Sequence, residues 1–83
     1  MQARTINLSI KSKDANLFTG DVLGVTAYND LGIFDVLPMH SNFISLIHDK
    51  VITHTQEASK EFKVGDNAVM KVQDGKIDVY LGL

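Results

Sequence analysis

The sequence predicts an all-β domain, a two-sheet β-sandwich or flattened barrel of about eight to ten short strands. Three observations point there. The dominant hydrophobic period is two: Ile6, Leu8 and Ile10 alternate with Asn7, Ser9 and Lys11. Turn-forming Gly, Asn and Asp recur between short β-branched and aromatic runs. No window of about eleven residues keeps a helical stripe between good caps; residues 49–60 come nearest, and their Val51, Ile52, Thr53 and Thr55 favour extended chain. A single sheet of such strands would leave one apolar face wet, so two layers are required.

Taken in order, residues 6–10 form a half-buried strand, and short strands are expected at 16–18, 22–28, 33–37, 42–47 and 50–56. Phe62 and Val64 belong to a further strand, which Gly65-Asp66 is expected to turn as a type II′ hairpin into residues 67–73. Asp74-Gly75 supplies the positive φ angles of a type I′ turn into residues 76–81. The two hairpins would share a strand and make a three-stranded meander.

The 83 residues allow one domain, residues 1–83, with a small core and room for no second unit. The apolar share of 45% with net charge −2 is that of a folding chain. Eight Lys plus Arg against ten Asp plus Glu, with no basic run, argue against a nucleic-acid partner. The longest apolar stretch, around residues 43–47, is far below the roughly 20 residues that cross a bilayer. No secretory leader or transit peptide is expected after Met1. Zero Cys removes disulfides, thiolate metal sites and cysteine nucleophiles together.

The chemistry-bearing residues are sparse. His40, His48 and His54 have spacings that fit no metal pattern; His48, in an expected turn beside Asp49, and His54, on the polar register of a strand, read as surface residues. His40, just after Pro38, is expected to tie down loop backbone with its ring nitrogens. Ser41, Ser45, Asp35 and His40 lie close in sequence, but no Gly-x-Ser-x-Gly turn accompanies them, and no Gly-rich phosphate cradle is present. Catalytic, cofactor and metal sites are all expected to be absent. What asks for an explanation is the run Phe43, Ile44, Leu46 and Ile47: in an extended strand Phe43 and Ile47 share one face, Ile44 and Leu46 the other, so both faces are apolar. One face can enter the core; the other needs cover, from the opposite sheet or a partner, with Met39 as a deformable neighbour.

The runs Leu17-Phe18-Thr19-Gly20-Asp21-Val22, Gly32-Ile33-Phe34-Asp35-Val36-Leu37-Pro38-Met39-His40-Ser41-Asn42-Phe43-Ile44-Ser45 and Phe62-Lys63-Val64-Gly65 resemble the amino-terminal domain of the epsilon subunit (delta in mitochondria) of rotary proton-translocating ATP synthases. The resemblance covers nearly the whole chain, and the Leu-Pro-x-His loop before an apolar strand is its most specific piece. The family usually has Gly where Asp35 and Met39 stand, Ala-Pro at Ser41-Asn42, and often Gly near Asp49. Family members commonly continue into a carboxy-terminal helical hairpin, which is not expected in a chain whose last strand ends near Leu83.

The resemblance implies a ten-stranded β-sandwich at the foot of the central stalk, a non-catalytic rotor subunit coupling the gamma subunit to the c-ring during proton-driven ATP synthesis. It implies membrane association only through that complex, on the cytoplasmic face of the bacterial plasma membrane. Residue by residue, Asp30, Leu31 and Gly32 match the loop facing the c-ring, and His40, Ser41, Asn42, Phe43 and Ser45 match the segment near gamma and the ring. Two other classes remain open on the residues alone. One is a free-standing β-sandwich adaptor or ligand-binding module, using strand addition or a shallow loop site. The other is a small hydrolase, which would need Ser41 or Ser45 to be reactive.

Overall fold

The structure, a computed structural model, describes residues 4–82. It contains β1 (Ile6–Lys11), β2 (Asn16–Val22), β3 (Gly24–Asn29), β4 (Gly32–Val36), β5 (Phe43–His54), β6 (Ser59–Gln73) and β7 (Lys76–Leu81). They form one hydrogen-bonded ladder in the order β2-β1-β7-β6-β5-β3-β4. β1 and β7 run parallel; the other pairs are antiparallel.

Two long strands turn this ladder into a sandwich. The second half of β6 pairs with β7 from Ala68 to Gln73, whereas its first half pairs with β5 alone. Likewise β3 meets β5 only at Ile52, Thr53 and His54. One layer is therefore β2-β1-β7 with the second half of β6 and the first half of β5. The other is β4-β3 with the second half of β5 and the first half of β6. Aromatic rings join the layers between strands that are not ladder neighbours: Phe18 of β2 lies 5.6 Å from Phe62 of β6, and Phe34 of β4 lies 5.9 Å from Phe43 of β5. Between them Leu8, Ile10, Val25, Val36, Ile47, Val51, Met70, Ile77 and Val79 are sealed from solvent. The alternation read in residues 6–10 is the inner and outer face of β1, Leu8 and Ile10 pointing inward.

The all-β sandwich stands as expected, but with seven strands among the described residues and not ten. Residues 42–47 and 50–56 are parts of the single strand β5, and the hairpin expected at Gly65-Asp66 is absent, because β6 runs straight through it. The positive φ of Gly65, 74°, serves a bulge: it pairs with Asp49, whose φ is 68°, and the β5–β6 register shifts on both sides of Asp49. A bulge bends a strand and increases its twist, which lets β5 and β6 pass from one layer to the other. The meander is therefore β5-β6-β7. Its first turn, at residues 55–58, has neither Gly nor Pro; Thr55 closes it, its N–H donating to the Ala58 carbonyl at 3.0 Å while its hydroxyl accepts from the Ala58 N–H at 3.3 Å. The turn at Asp74-Gly75 is as expected, with φ of 52° and 80°.

Among the described residues nothing lies within 4 Å of where a Cβ on Gly65 would sit, so Gly65→Ala carries only the backbone cost of a left-handed residue. We expect it to destabilise the domain by about 1 kcal/mol, read as a lower urea midpoint with unchanged slope. Ser9 offers a change of opposite sign. Its hydroxyl oxygen is buried with no hydrogen-bond partner among the described residues. Ser9→Ala removes that orphan and should stabilise by about 0.5–1 kcal/mol in the same measurement.

Candidate partner interface

The residues singled out in the sequence fall into two groups joined by the first half of β5. Asp30 and Leu31 form the tip of the β3–β4 hairpin, closed by Gly32 at a φ of 121°. The Asn29 side chain organises this tip: its Oδ1 accepts from the Leu31 N–H at 2.9 Å and its Nδ2 donates to the Ser45 hydroxyl at 3.2 Å. The tip is thereby tied to β5, and Asp30 lies 3.9 Å from the His48 ring, whose other nitrogen is 3.1 Å from Asp49. Leu31 itself projects into solvent at 97% exposure.

The second group is the loop between β4 and β5. Pro38 and Met39 occupy the centre of a turn closed by the His40 N–H donating to the Leu37 carbonyl at 3.1 Å. Met39 has a φ of 70°, so Pro comes first and a left-handed residue second, the pattern of a type II turn. Gly, which the resemblance implies at this position, would fit that backbone; here Met39 adopts it, and Asp49 likewise has a positive φ of 68°. His40 Nδ1 donates to the Ser41 carbonyl at 2.8 Å, and its ring lies 5.0 Å from that of Phe43. His40 thus ties loop backbone, as expected. Asn42 accepts from the Asp74 N–H at 3.0 Å and links the loop to the β6–β7 turn. Ser41 is exposed.

Phe43 and Ser45 are half-buried on the inner face of β5, with Ile47. The residues that meet solvent are their neighbours Ile44 and Leu46, at 69% and 73% exposure. The two apolar faces read in residues 43–47 are thus one core face and one open face. The open face continues across the sheet, because Leu46 pairs with Val69 and Val69 with Tyr80. Leu37, Met39 and Ile33 are exposed nearby in sequence. A surface cleft of about 360 Å³, lined by Asn42, Phe43, Ile44, Lys71, Val72 and Gln73, opens beside the start of β5. Ile44 and Leu46 are not among the contact residues that the resemblance implies, yet their signal is in the sequence: they stand one position off the Phe43/Ile47 register.

Several ionisable groups near these residues take structural partners. Asp35, one of the four clustered residues that a hydrolase would have used, accepts from the Thr26 hydroxyl at 2.6 Å. With its only proton so engaged, Thr26 accepts from His54 Nε2–H at 2.8 Å, leaving His54 Nδ1 2.9 Å from Ser59. His54 is therefore a half-buried link across β3, β5 and β6 and not the surface residue expected from its register. On the same outer layer, the Glu61 carboxylate hydrogen-bonds Lys50 at 3.2 Å and raises its pKa. No group of three or more His, Cys, Asp or Glu able to hold a metal occurs among the described residues. No helix there is long and apolar enough to cross a membrane.

Comparison with known proteins agrees with this architecture. The family described as "ATP synthase, Delta/Epsilon chain, beta-sandwich domain" matches residues 5–81. A chain in the Euglena gracilis mitochondrial ATP synthase assembly of OSCP, F1 and c-ring superposes with a TM-score of 0.84 at 16% identity, over 98% of this chain and 52% of that one. A chain in the Tetrahymena thermophila mitochondrial ATP synthase central stalk and c-ring superposes with a TM-score of 0.77 at 8% identity, over 96% and 65%. This chain thus spans between half and two thirds of the length of those structural neighbours, which at such identities share its fold. Curated proteins yield no significant sequence match. On the family match, which takes in the Leu-Pro-x-His turn, the β5 strand after it and the closing hairpin, the chain belongs to the ATP synthase delta/epsilon chain β-sandwich domain family.

Proposed function

We propose that this domain is a non-catalytic central-stalk rotor subunit of an ATP synthase, holding the gamma subunit to the c-ring and passing torque between them during proton-driven synthesis. The observation that carries the reading is the set of large apolar side chains left in water on a family member: Leu31 at the hairpin tip, and Ile44 and Leu46 on the open face of β5. The hairpin tip Asp30-Leu31-Gly32 is suited to the polar loops of a c-ring, and His40, Ser41 and Asn42 with the β5 face to gamma. Phe43 and Ser45 serve that contact from behind, by fixing the loop and strand that make it. Two interfaces of about 800 Å² per partner would cover close to a third of the 5486 Å² surface. A close-packed sandwich suits a coupling part because its core resists deformation under load.

The domain reaches the membrane only through the complex. The location we propose is the cytoplasmic face of a bacterial plasma membrane; cell fractionation tests it, both compared assemblies being mitochondrial. The central test is co-purification of the tagged chain with a gamma subunit and c-ring from membranes solubilised in mild detergent. A chain that stays monodisperse and indifferent to both would overturn the reading.

A further inference from the structure

The sandwich has four strand edges with no further ladder partner among the described residues: β2, β4, the first half of β6 and the first half of β5, the last touched only by side chains of the β3–β4 hairpin tip, Asn29 at Ser45 and Asp30 at His48. Unpaired edges invite strand addition, and proteins guard them with charge. Three are guarded: β2 carries Asp21, β4 carries Asp35, and residues 59–64 of β6 carry Lys60, Glu61 and Lys63. The fourth, Phe43-Ile44-Ser45-Leu46-Ile47, has no charge at all, and its Ile44 and Leu46 are exposed. The contrast within one molecule marks this edge as a place where another strand is received.

The order of its residues says which strand fits. About Ser45 the segment is a palindrome in chemistry: Ile44 mirrors Leu46, and Phe43 mirrors Ile47. An antiparallel copy turned about a two-fold axis through Ser45 sets Ile44 opposite Leu46 of the other copy and Phe43 opposite Ile47. Asn42 falls opposite His48, a pair able to hydrogen-bond, and Ser41 opposite Asp49, so no like charges meet. The Asp49 bulge then ends regular pairing.

We propose that β5 residues 43–47 form a self-complementary edge through which two copies of the chain pair as an antiparallel, two-fold dimer. The four side chains Ile44 and Leu46 of both copies meet on the outer face at the axis and shield one another. The contact is smaller than a standard interface of about 800 Å² per partner, so the dimer forms only at high concentration. It is the state of the free chain, since a gamma subunit seated on this strand excludes it. The inference stands on the edge and not on the rotor reading, and it is tested on the isolated full chain.

Sedimentation velocity from about 10 µM to about 1 mM reads the association. The wild-type chain is expected to move from monomer to dimer across this range. Ile44→Lys combined with Leu46→Lys puts lysine opposite lysine twice per dimer and should weaken association at least about tenfold. Ile44→Lys combined with Leu46→Glu puts opposite charges across the axis and should restore the dimer, now sensitive to salt. Both positions are exposed, and circular dichroism checks that each variant is folded. A wild-type chain that stays monomeric at the top of the range overturns the proposal. A dimer that persists in the double-lysine variant overturns it too, as does failure of the lysine–glutamate variant to recover, because each denies this register.

Discussion

Phe43→Asp is expected to destabilise the domain strongly and not merely to release it from a partner. The resemblance places Phe43 in a contact segment, but the structure turns its ring inward, 5.9 Å from Phe34 and 5.0 Å from His40. It is half-buried and packs against the core cluster. Substitution removes the aromatic bridge between the layers and puts a carboxylate beside an apolar core, a combination that costs about 3 kcal/mol or more. A domain of this size has roughly 4–12 kcal/mol in total, so the loss takes a large share. Urea denaturation should show a sharply lowered midpoint, and Phe43→Leu should recover most of it. A variant with the wild-type midpoint that has lost only its partner would show that the ring's work is done at an interface.

The case of Phe43 shows what the sequence makes legible and where local reading stops. Alternation alone set Phe43 and Ile47 on one face and Ile44 and Leu46 on the other, and the buried Ile47 identifies which face is core. The residue-by-residue match with the family pulled the other way, choosing Phe43 and Ser45 because they align with a contact segment. The physical period was the better guide to which side chains meet solvent. The Asp74-Gly75 turn was legible because its demand for positive φ is local and is met by the residues themselves. Gly65-Asp66 carries a similar local signal, yet there the positive φ belongs to a bulge, since the residue opposite, Asp49, also departs from the strand conformation. That distinction depends on a partner 16 positions away and is invisible to any window around Gly65. His54 was misread for the same kind of reason: its hydrogen bonds go to Thr26 and Ser59 on neighbouring strands.

Ile44→Asp with Leu46→Asp is expected to do the reverse of Phe43→Asp, leaving the domain folded while abolishing the proposed contact with gamma. Both side chains are mostly in solvent, so little packing is lost; the poor strand propensity of Asp and the proximity of two carboxylates cost about 1–1.5 kcal/mol together. At a partner surface the same change buries charge where apolar contact was required, and affinity should fall at least about 100-fold. Binding is measured with the domain in the nanomolar range, well below the concentration of self-pairing, and the urea midpoint is measured in parallel. The two variants then separate scaffold from surface along a single strand: residues of one parity face the core, and residues of the other form the proposed contact face. Unchanged affinity in the folded double-aspartate variant would place gamma elsewhere and leave the exposed Ile44–Leu46 face to be explained by the self-paired chain alone.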